Sequence, residues 1–511
     1  MRSRPPCGST LKTWSVALGV CVPGLALQAT ERTHLRLALH DSIRTVDPRQ
    51  TVDENSRSIE DLIHCSLMQR DADGQLIPGL AAKDPQWKSP KILEVTVKAG
   101  VKFSDGSAVT ANDVAAIYHA LVTDKALARS RSFQQVTAVQ AQGETVSFTL
   151  HEPDASFIGN LVVGILPAKL AKTRTIDPIQ SPSCGPYHMK SHEWNSIILK
   201  ENPHYAGSPK LRLKQIEIRF SLDEKIRLAQ LQAGELDLVQ NGISLPGLKE
   251  IAKKNPQLEV LKRPGLNTTY LGFNLRDGLA GQAAVREAIA HAINRDEIIS
   301  MILGGMATPA TTLLPPHSPF LNQELKPRPL DLSLAEKILD DAGLTKKGET
   351  RLALNYKTTT DITSISIAKA IAAQVKKIGI KIVVEPVEWR RLKQDLDAGR
   401  VQLWSLTWDG GTDPDMYRHA FATRSFPPRG DNRGRYSNPK LDEVLEKGKI
   451  TSSQDQRIRI YQEAQMLLDK DLPYIFLWHE DQFAVVNRAL KGFQLRADGR
   501  YTALTEAFFV P

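Results

Sequence analysis

The stretch 351–387, "RLALNYKTTTDITSISIAKAIAAQVKKIGIKIVVEPV", predicts a strand, then a helix, then a second strand. Asp361 can cap the predicted helix and Gly379 can end it. The apolar residues that share one face of this helix are Ile365, Ala368, Ala372, Val375 and Ile378. A strand–helix–strand unit implies two parallel strands with the helix packed on them. This stretch therefore predicts an α/β fold.

The first third of the chain has a different pattern. "LEVTVKAGVKF" (93–103) alternates apolar and polar residues, as a half-buried strand does. "VTAVQAQGETVSFTL" (136–150) repeats the alternation around Gly143, which predicts a hairpin. Between them, Thr110 and Asp113 have the spacing of a capping box at a helix start. This part of the chain is predicted to be mostly antiparallel sheet with a helix.

The first 29 residues are typical of a signal peptide. Residues 1–12 are basic and contain no acid, and residues 13–29 are largely apolar. Ala29 is the predicted residue before cleavage. The alternatives are a membrane anchor, for which the apolar stretch is short, and a lipoprotein acylated on Cys21, for which Val20 is bulky. We therefore expect secretion, and a periplasmic location.

Charge and cysteine content exclude some classes of partner. The formal net charge is +9, but Lys and Arg form no run of five, so no nucleic-acid surface is predicted. Of the four cysteines, Cys65 and Cys184 lie beyond the signal peptide. Neither belongs to a CxxC pair, so a structural zinc site is not expected. A disulfide and two buried thiols both remain open for this pair.

Motifs of common secreted enzymes are absent from the sequence. There is no GxSxG, no P-loop and no GxGxxG, and neither "HEPDA" nor "WHEDQF" is followed by a second histidine at zinc-protease spacing. The acids from Asp409 onward do not match a calcium-binding loop, since position 12 is Ala420. We therefore predict a protein that is not an enzyme and has no metal or cofactor.

Three aspartates crowd the segment "SLTWDGGTDPDMYRHAF" (405–421). It follows a predicted buried strand, "VQLWSL", and ligands in open α/β sheets bind just beyond the carboxyl ends of strands. Trp408, Asp409, Gly410 and Gly411 occupy that place, where the glycines would let backbone approach a ligand. Asp413 is predicted to cap a helix with Pro414 at its first position and Asp415 favourable to its dipole. Asp409 is either a surface acid or a ligand contact.

Seven phrases, in order, resemble extracellular solute-binding protein family 5, the dipeptide- and oligopeptide-binding proteins of bacterial ABC importers. They are "DADGQLIPGLA" (71–81), "VTVKAGVKFSDGSAVTANDVAAIY" (95–118), "CGPYHMKSHEWNSIILKENPHYAG" (184–207), "LQAGELDLVQNGIS" (231–244), "TTYLGFNLRDG" (268–278), "VREAIAHAINRDEII" (285–299) and "RGRYSNPKLDEVL" (433–445). One phrase alone would be weak, but seven in the family's order are specific. The likeness extends from about residue 35 to about residue 505.

The resemblance implies a type II periplasmic binding protein fold. Two α/β lobes are joined by hinge strands, a mostly antiparallel α+β domain is inserted in the first lobe, and the ligand lies between the lobes. The expected divisions are the signal peptide (1–29), lobe I (30–72, 173–266 and 483–511), the inserted domain (73–172) and lobe II (267–482).

The resemblance also implies candidate ligand-binding residues. Peptide-binding members use an aspartate, usually three residues after the tryptophan, to pair with the peptide's α-amino group. That position is Gly411 here, so Asp409 or Asp413 would have to substitute. Further positions that match cleft residues, each of which could instead be a packing or turn residue, are Asn241, Tyr270, Trp389, Asn432, Tyr436 and Trp478. Arg433 and Arg435 could meet a ligand carboxylate or lie in a solvated loop.

The predicted function is capture of a peptide or peptide-like small solute between the lobes and its delivery to the transmembrane subunits of an ABC transporter. The protein is expected to be a monomer that binds by hinge closure, without covalent chemistry. A secreted hydrolase, or a sensory or chaperone-like binding module without transport, is the alternative.

Overall fold

The computed structural model describes residues 32–207 and 210–510. The predicted signal peptide (1–29) lies outside the described residues. Within 32–207 and 210–510, no helix is both long enough and apolar enough to cross a bilayer.

The described chain begins in a sheet and then enters a separate antiparallel region. Its first two elements are β1 (His34–Leu39) and α1 (Glu54–Ile63). The next seven are β2 (Met68–Arg70), β3 (Leu76–Pro78), β4 (Gln86–Ser89), β5 (Ile92–Thr96), α2 (Ala111–Thr123), β6 (Val136–Gln142) and β7 (Thr145–Leu150). The strand order β4-β5-β7-β6 is antiparallel throughout and has its own apolar core. The predicted hairpin at Gly143 and the Thr110–Asp113 capping box are both confirmed.

The chain then returns to the sheet that contains β1. The returning elements are β8 (Tyr187–His192), β9 (Ser196–Glu201), β10 (Gln215–Phe220), α3 (Glu224–Gln232), β11 (Leu238–Gln240) and α4 (Leu245–Lys254). β1 lies between β10 and β11 and is parallel to both. Because its alternate side chains meet apolar residues on both faces, this half of the sheet is buried on both sides.

A long strand, β12 (Leu258–Phe273), leads into the second half of the molecule. Twelve elements follow it: α5 (Ala283–Ala292), α6 (Arg295–Met301), β13 (Ala307–Pro309), α7 (Leu332–Asp341), β14 (Leu352–Thr358), α8 (Ile362–Lys376), β15 (Ile380–Pro386), α9 (Trp389–Asp397), β16 (Leu403–Trp408), α10 (Met416–Phe421), α11 (Pro439–Ile450) and α12 (Gln454–Asp471). The final strands are β17 (Tyr474–Asn487), β18 (Leu490–Lys491) and β19 (Phe508–Phe509).

The strands β12 and β17 join the two halves. The order of the large sheet is β15-β14-β16-β12-β17-β11-β1-β10-β9-β8, with β13 beside β17. β12 and β17 are antiparallel, and their register shifts between Pro264 and Thr268. One portion of the pair therefore belongs to the half with β1 and the other to the half with β14, so these strands are the hinge of the fold. The domain boundaries themselves remain a prediction.

The strand–helix–strand prediction for 351–387 is confirmed, since β14 and β15 are parallel and α8 begins after its cap, Asp361. The predicted buried face was partly wrong. Ala368, Val375 and Ile378 are buried, but Ile365 and Ala372 are only half-buried, and Ile367 and Ile371 lie in the core instead. The helix has apolar residues on more than one face, so their spacing does not fix which face the sheet covers.

Cys65 and Cys184 form a disulfide across 119 residues. The bond joins the loop between α1 and β2 to the segment that precedes β8. The structure thus selects one of the two states that the sequence left open.

Candidate functional site

A cavity of about 370 Å³ opens at the carboxyl end of β16. Its lining residues are Tyr270, Trp389, Leu406, Thr407, Trp408, Asp409, Asp431 and Arg433. This volume lies in the range of small-molecule sites. Another cavity, beside Arg295 and Tyr417, holds only about 30 Å³, enough for a few waters at most. The larger cavity is the better candidate for a ligand site.

The strand β16 and the hinge strand β12 place Trp408 and Asp409 at this cavity. They are antiparallel, with Trp408 opposite Thr268 next to the register shift. In the following loop, the amide of Gly410 donates to Asn267 Oδ1 at 2.8 Å. The loop is therefore fastened to the irregular part of the hinge strand.

Both loop glycines have close protein neighbours. A Cβ on Gly410 would lie 2.9 Å from Leu266 Cβ, and one on Gly411 would lie 2.6 Å from Met416 Sδ. Leu266 Cβ cannot move without its backbone, so packing favours glycine at position 410, whereas the flexible end of Met416 can move away from a Cβ at position 411. Approach of this backbone to a ligand stays a prediction.

The three aspartates of the segment have different partners. Asp413 binds Arg457 through two hydrogen bonds and also accepts from the amide of Asp415. Asp415 binds Arg418, with the shortest N–O distance at 2.5 Å. Asp409 is exposed in the cavity and forms no hydrogen bond or ion pair with any of the residues 32–207 and 210–510. Of the three, only Asp409 has a carboxylate available to a cationic ligand.

The predicted helix cap at Asp413 was wrong by two residues. Helix α10 begins at Met416, and Asp415 occupies its N-cap position without a side-chain capping bond. Asp413 instead closes the short turn that precedes the helix. Its pairing with Arg457 explains why it lies there, and that partner is remote in the sequence.

Aromatic rings form the walls of the cavity. Tyr270 is buried and stacks on Tyr474, with ring centroids 4.1 Å apart. Burial raises the pKa of the Tyr270 hydroxyl, and the nearby Arg433 opposes that shift. Trp389 is 48% exposed, and the indole Nε1 of Trp408 is buried without a hydrogen-bond partner among the described residues. The walls thus offer ring faces to a ligand, while the Trp408 donor is shielded from solvent.

Arg433 supplies positive charge to the same cavity. Its Nη2 donates to Asp431 at 2.6 Å, while its Nε lies 3.9 Å from Asp397, beyond hydrogen-bond distance. Arg435 points elsewhere, since its guanidinium donates to the carbonyl of Asp397. Of the two arginines considered from sequence, Arg433 lines the cavity.

Besides Gly410 and Gly411, four further predicted site residues lie outside the cavity lining. Asn241 has a φ of 52° and binds the hinge strand, accepting from the amide of Phe483 and donating to Gln482. Asn432 is buried and donates to three backbone carbonyls, two at the end of α10 and that of Tyr436. Tyr436 is buried and donates to Asp471, and Trp478 lies in the core. In the described structure these four side chains have packing or bracing contacts.

The structure brings Tyr270, Trp389, Trp408 and Asp409 together at one cavity, with Gly410 and Gly411 in the adjoining loop. The residues that sequence reasoning missed are Leu406, Thr407 and Asp431. Thr407 directly precedes Trp408 at the carboxyl end of β16, so its position at the strand end was the available signal. Asp431 carries no comparable local signal, because its place depends on the fold of a loop.

This chain is similar in sequence to a known protein family and to a characterised relative. The model of "Bacterial extracellular solute-binding proteins, family 5 Middle" matches residues 75–426. The glutathione-binding protein GsiB of Pectobacterium atrosepticum is 28% identical over 506 residues, covering 95% of this chain and 96% of that protein.

Two solved structures show the same fold. The oligopeptide-binding protein AppA of Bacillus subtilis, in complex with a nonapeptide, has a TM-score of 0.71 at 22% identity and covers 94% of this chain and 99% of its own. NikZ of Campylobacter jejuni, in complex with Ni(L-His), has a TM-score of 0.71 at 24% identity, with coverage of 93% and 99%. The family model spans more than half of the chain. The matched residues include β12 and β16, the two strands beside the cavity. The chain belongs to the bacterial extracellular solute-binding proteins of family 5.

Proposed function

We propose that the protein binds a peptide-like solute with a free amino group in the cavity beside Trp408, and that Asp409 receives its ammonium. The observation that carries the proposal is the unpaired carboxylate of Asp409 among aromatic walls. A desolvated ammonium needs an opposite charge or strong acceptors. Asp413 and Asp415 already have arginine partners, which leaves Asp409 for this role.

The ligands of similar proteins support a solute derived from amino acids. One relative is named a glutathione-binding protein, one solved structure contains a nonapeptide and another contains nickel with histidine. These solutes share an amino group and carboxylate chemistry. A peptide-like solute is therefore our proposal for this chain as well.

The proposed mechanism is binding followed by closure of the two halves about β12 and β17. Those strands alone carry the large sheet from one half to the other in the described residues. A ligand that contacts both halves favours the closed form, because it binds that form more tightly. No covalent step is involved. The protein would be a secreted, periplasmic monomer that presents its closed form to the transmembrane subunits of an ABC transporter.

The first experiment identifies and measures the ligand. Native mass spectrometry of the purified protein reports any co-purified small molecule. Calorimetric titration then compares glutathione and trialanine with their N-acetylated forms. We expect the free amines to bind near micromolar affinity, which corresponds to about 8 kcal/mol, and the acetylated forms to bind at least tenfold more weakly.

The residue-level arm uses Asp409→Asn with Asp341→Asn as the matched control, since Asp341 lies on the surface of α7. Asp409→Asn should lose the preference for a free amine, and the control should keep it. Wild-type protein that binds no peptide-like probe, or an Asp409→Asn variant that keeps both affinity and preference, would contradict the proposal.

A further inference from the structure

A cluster of arginines lies on the β1 side of the hinge, outside the cavity lining. Its members are Arg57 of α1, Arg70 at the end of β2, Arg129 in the short 3-10 helix after α2, and Arg496 and Arg500 in the segment before β19. Three carboxylates lie among them: Glu60, Asp61 and Asp498. Glu54 is near Arg500 but is exposed to solvent.

Each carboxylate already has an arginine partner. Arg129 Nη1 lies 3.1 Å from Glu60 Oε1, and Arg500 Nη1 lies 3.0 Å from Asp61 Oδ2. Arg496 Nε lies 3.5 Å from Asp498 Oδ1. Five guanidinium groups against these three carboxylates leave a surplus of two positive charges, which belong to Arg57 and Arg70.

Arg57 forms no ion pair of its own: Glu60 and Asp61, the carboxylates that act on its charge, are bonded to Arg129 and Arg500. Its Nε is buried and unbonded, and its guanidinium forms no hydrogen bond and no ion pair with the described part of the chain, 32–207 and 210–510. Burial lowers its pKa, as do the neighbouring Arg129 and Arg500. An arginine held in this way retains its charge in proteins, so the position is unfavourable until an anion compensates it.

Arg70 is bonded only to neutral groups. Its Nη1 donates to the carbonyl of Gly74 at 2.7 Å and to the hydroxyl of Thr412. None of the described carboxylates lies within ion-pair distance of it, and burial lowers its pKa. Two neutral acceptors leave most of its five donors available.

The location of Arg70 connects the cluster to the candidate ligand site. Thr412 follows Gly411 in the loop that begins with Asp409, so Arg70 reaches from one half of the molecule to the other beside the hinge. Leu266, in the irregular part of β12, lies against both Gly74 and Gly410. Direct contacts connect Arg70 to the rest of the cluster: Arg496 donates to the carbonyl of Arg70 and pairs with Asp498. The Asp498 carboxylate accepts from the amide of Arg500, and Arg500 pairs with Asp61, which lies four residues after Arg57 on α1. That network adjoins the loop that carries the proposed amine-binding carboxylate.

We propose that Arg57 and Arg70 form an anion subsite that binds a carboxylate of the solute whose amino group binds Asp409. This inference rests on the proposed function and narrows it to zwitterionic or acidic peptide-like solutes. An arginine can bind a carboxylate with two parallel hydrogen bonds. A ligand held by Asp409 on one half and by these arginines on the other would also contact both halves, as closure requires.

The test compares ligands that differ only in their carboxylates. Glutathione is titrated calorimetrically as the free acid and as the diethyl ester, and trialanine as the free acid and as the C-terminal amide. The variants are Arg57→Gln and Arg70→Gln, with Arg488→Gln as the control, since Arg488 is a surface arginine paired with Glu259. Arg57→Lys and Arg70→Lys keep the charge and serve as a second pair.

We expect wild-type protein and the control to bind the free acids about tenfold to a hundredfold more tightly than the blocked forms. Each glutamine variant should lose about tenfold or more in affinity for the free acids, with little change for the blocked forms. The lysine variants should keep a preference for the free acids. Circular dichroism checks that each variant is folded.

Three results would overturn the inference. Equal wild-type affinity for free and blocked acids excludes the subsite while leaving the proposed function intact, because binding is still observed. Glutamine variants that fold and keep the full wild-type affinity and preference for the free acids assign the carboxylate to other residues. Absence of binding by any probe removes the proposed function and this inference together.

Discussion

Arg457 of α12 holds Asp413 through Nη2–Oδ1 and Nη1–Oδ2 contacts of 2.9 and 3.2 Å, across a sequence separation of 44 residues. The side chain of Arg457 is 8% exposed, so this pair is largely shielded from water on the arginine side. Asp409, four positions earlier, lacks any such partner in the described residues. Two aspartates of one loop are therefore expected to serve different purposes.

The first prediction separates stability from binding. Asp413→Asn should lower the free energy of unfolding by about 2 kcal/mol, because it leaves the buried Arg457 guanidinium without a compensating charge. This value is smaller than for a fully buried pair, because water partly screens the exposed Asp413 carboxylate. Asp409→Asn should change it by no more than about 0.5 kcal/mol, since it breaks no contact. Urea unfolding measures both. Equal effects of the two substitutions would show that the assignment of roles is wrong.

The second prediction concerns the loop glycine beside the hinge. Gly410→Ala should cost about 1–3 kcal/mol of stability, because the added Cβ would lie 2.9 Å from Leu266 Cβ. It should also weaken ligand binding by displacing Asp409. Gly278→Ala is the matched control, since an added Cβ there meets nothing within 4 Å. Thermal unfolding and calorimetric titration of both variants give the answer; a Gly410→Ala protein as stable as the control would refute the packing argument.

The third prediction concerns the disulfide. Cys65→Ser combined with Cys184→Ser should lower the free energy of unfolding by about 2–5 kcal/mol, because the bond constrains a long loop of the unfolded chain. Its separation of 119 residues places it among the long loops. Ligand affinity should hardly change, since neither cysteine lines the cavity. Titration of thiols in denaturant supplies the control: wild-type protein with Cys65 and Cys184 both titrating as free thiols would contradict the pairing.

The fourth prediction concerns acid pH. Burial lowers the pKa of His64 to about 4, against an opposing effect of Asp47. The unfolded chain, with a histidine pKa near 6.5, then binds a proton that the folded protein does not bind between those values. Stability contributed by neutral His64 is therefore complete above about pH 6.5 and is lost as the pH falls toward 4, by about 1.4 kcal/mol per pH unit.

His479 behaves in the same direction, since burial lowers its pKa to about 4. Urea unfolding at pH 7, 6 and 5 should therefore show a smaller acid slope for His64→Gln than for wild-type protein. His119→Gln, at an exposed position of α2, is the control. A slope that the His64 substitution leaves unchanged would mean that this side chain is not buried in its neutral form.

Local features of the fold were predictable from sequence. The unit 351–387, the hairpin at Gly143 and the capping box at Thr110 all depend on hydrogen bonds between residues close in the chain, so short patterns are enough to specify them. The buried face of α8 was predicted less well, because the covering sheet, and not the helix, decides which of several apolar faces is enclosed.

The sequence by itself determined several local strands and helices, the α/β class and the family phrases. It also determined that an acid-rich loop follows β16. Only the tertiary structure decided which of its aspartates is free, because the answer depends on Arg457 and Arg418 reaching Asp413 and Asp415. It likewise decided that arginines from position 57 to position 500 share one network. The interaction energy of two charges depends on their separation in space and on their burial, and the spacing of residues along the chain gives neither quantity.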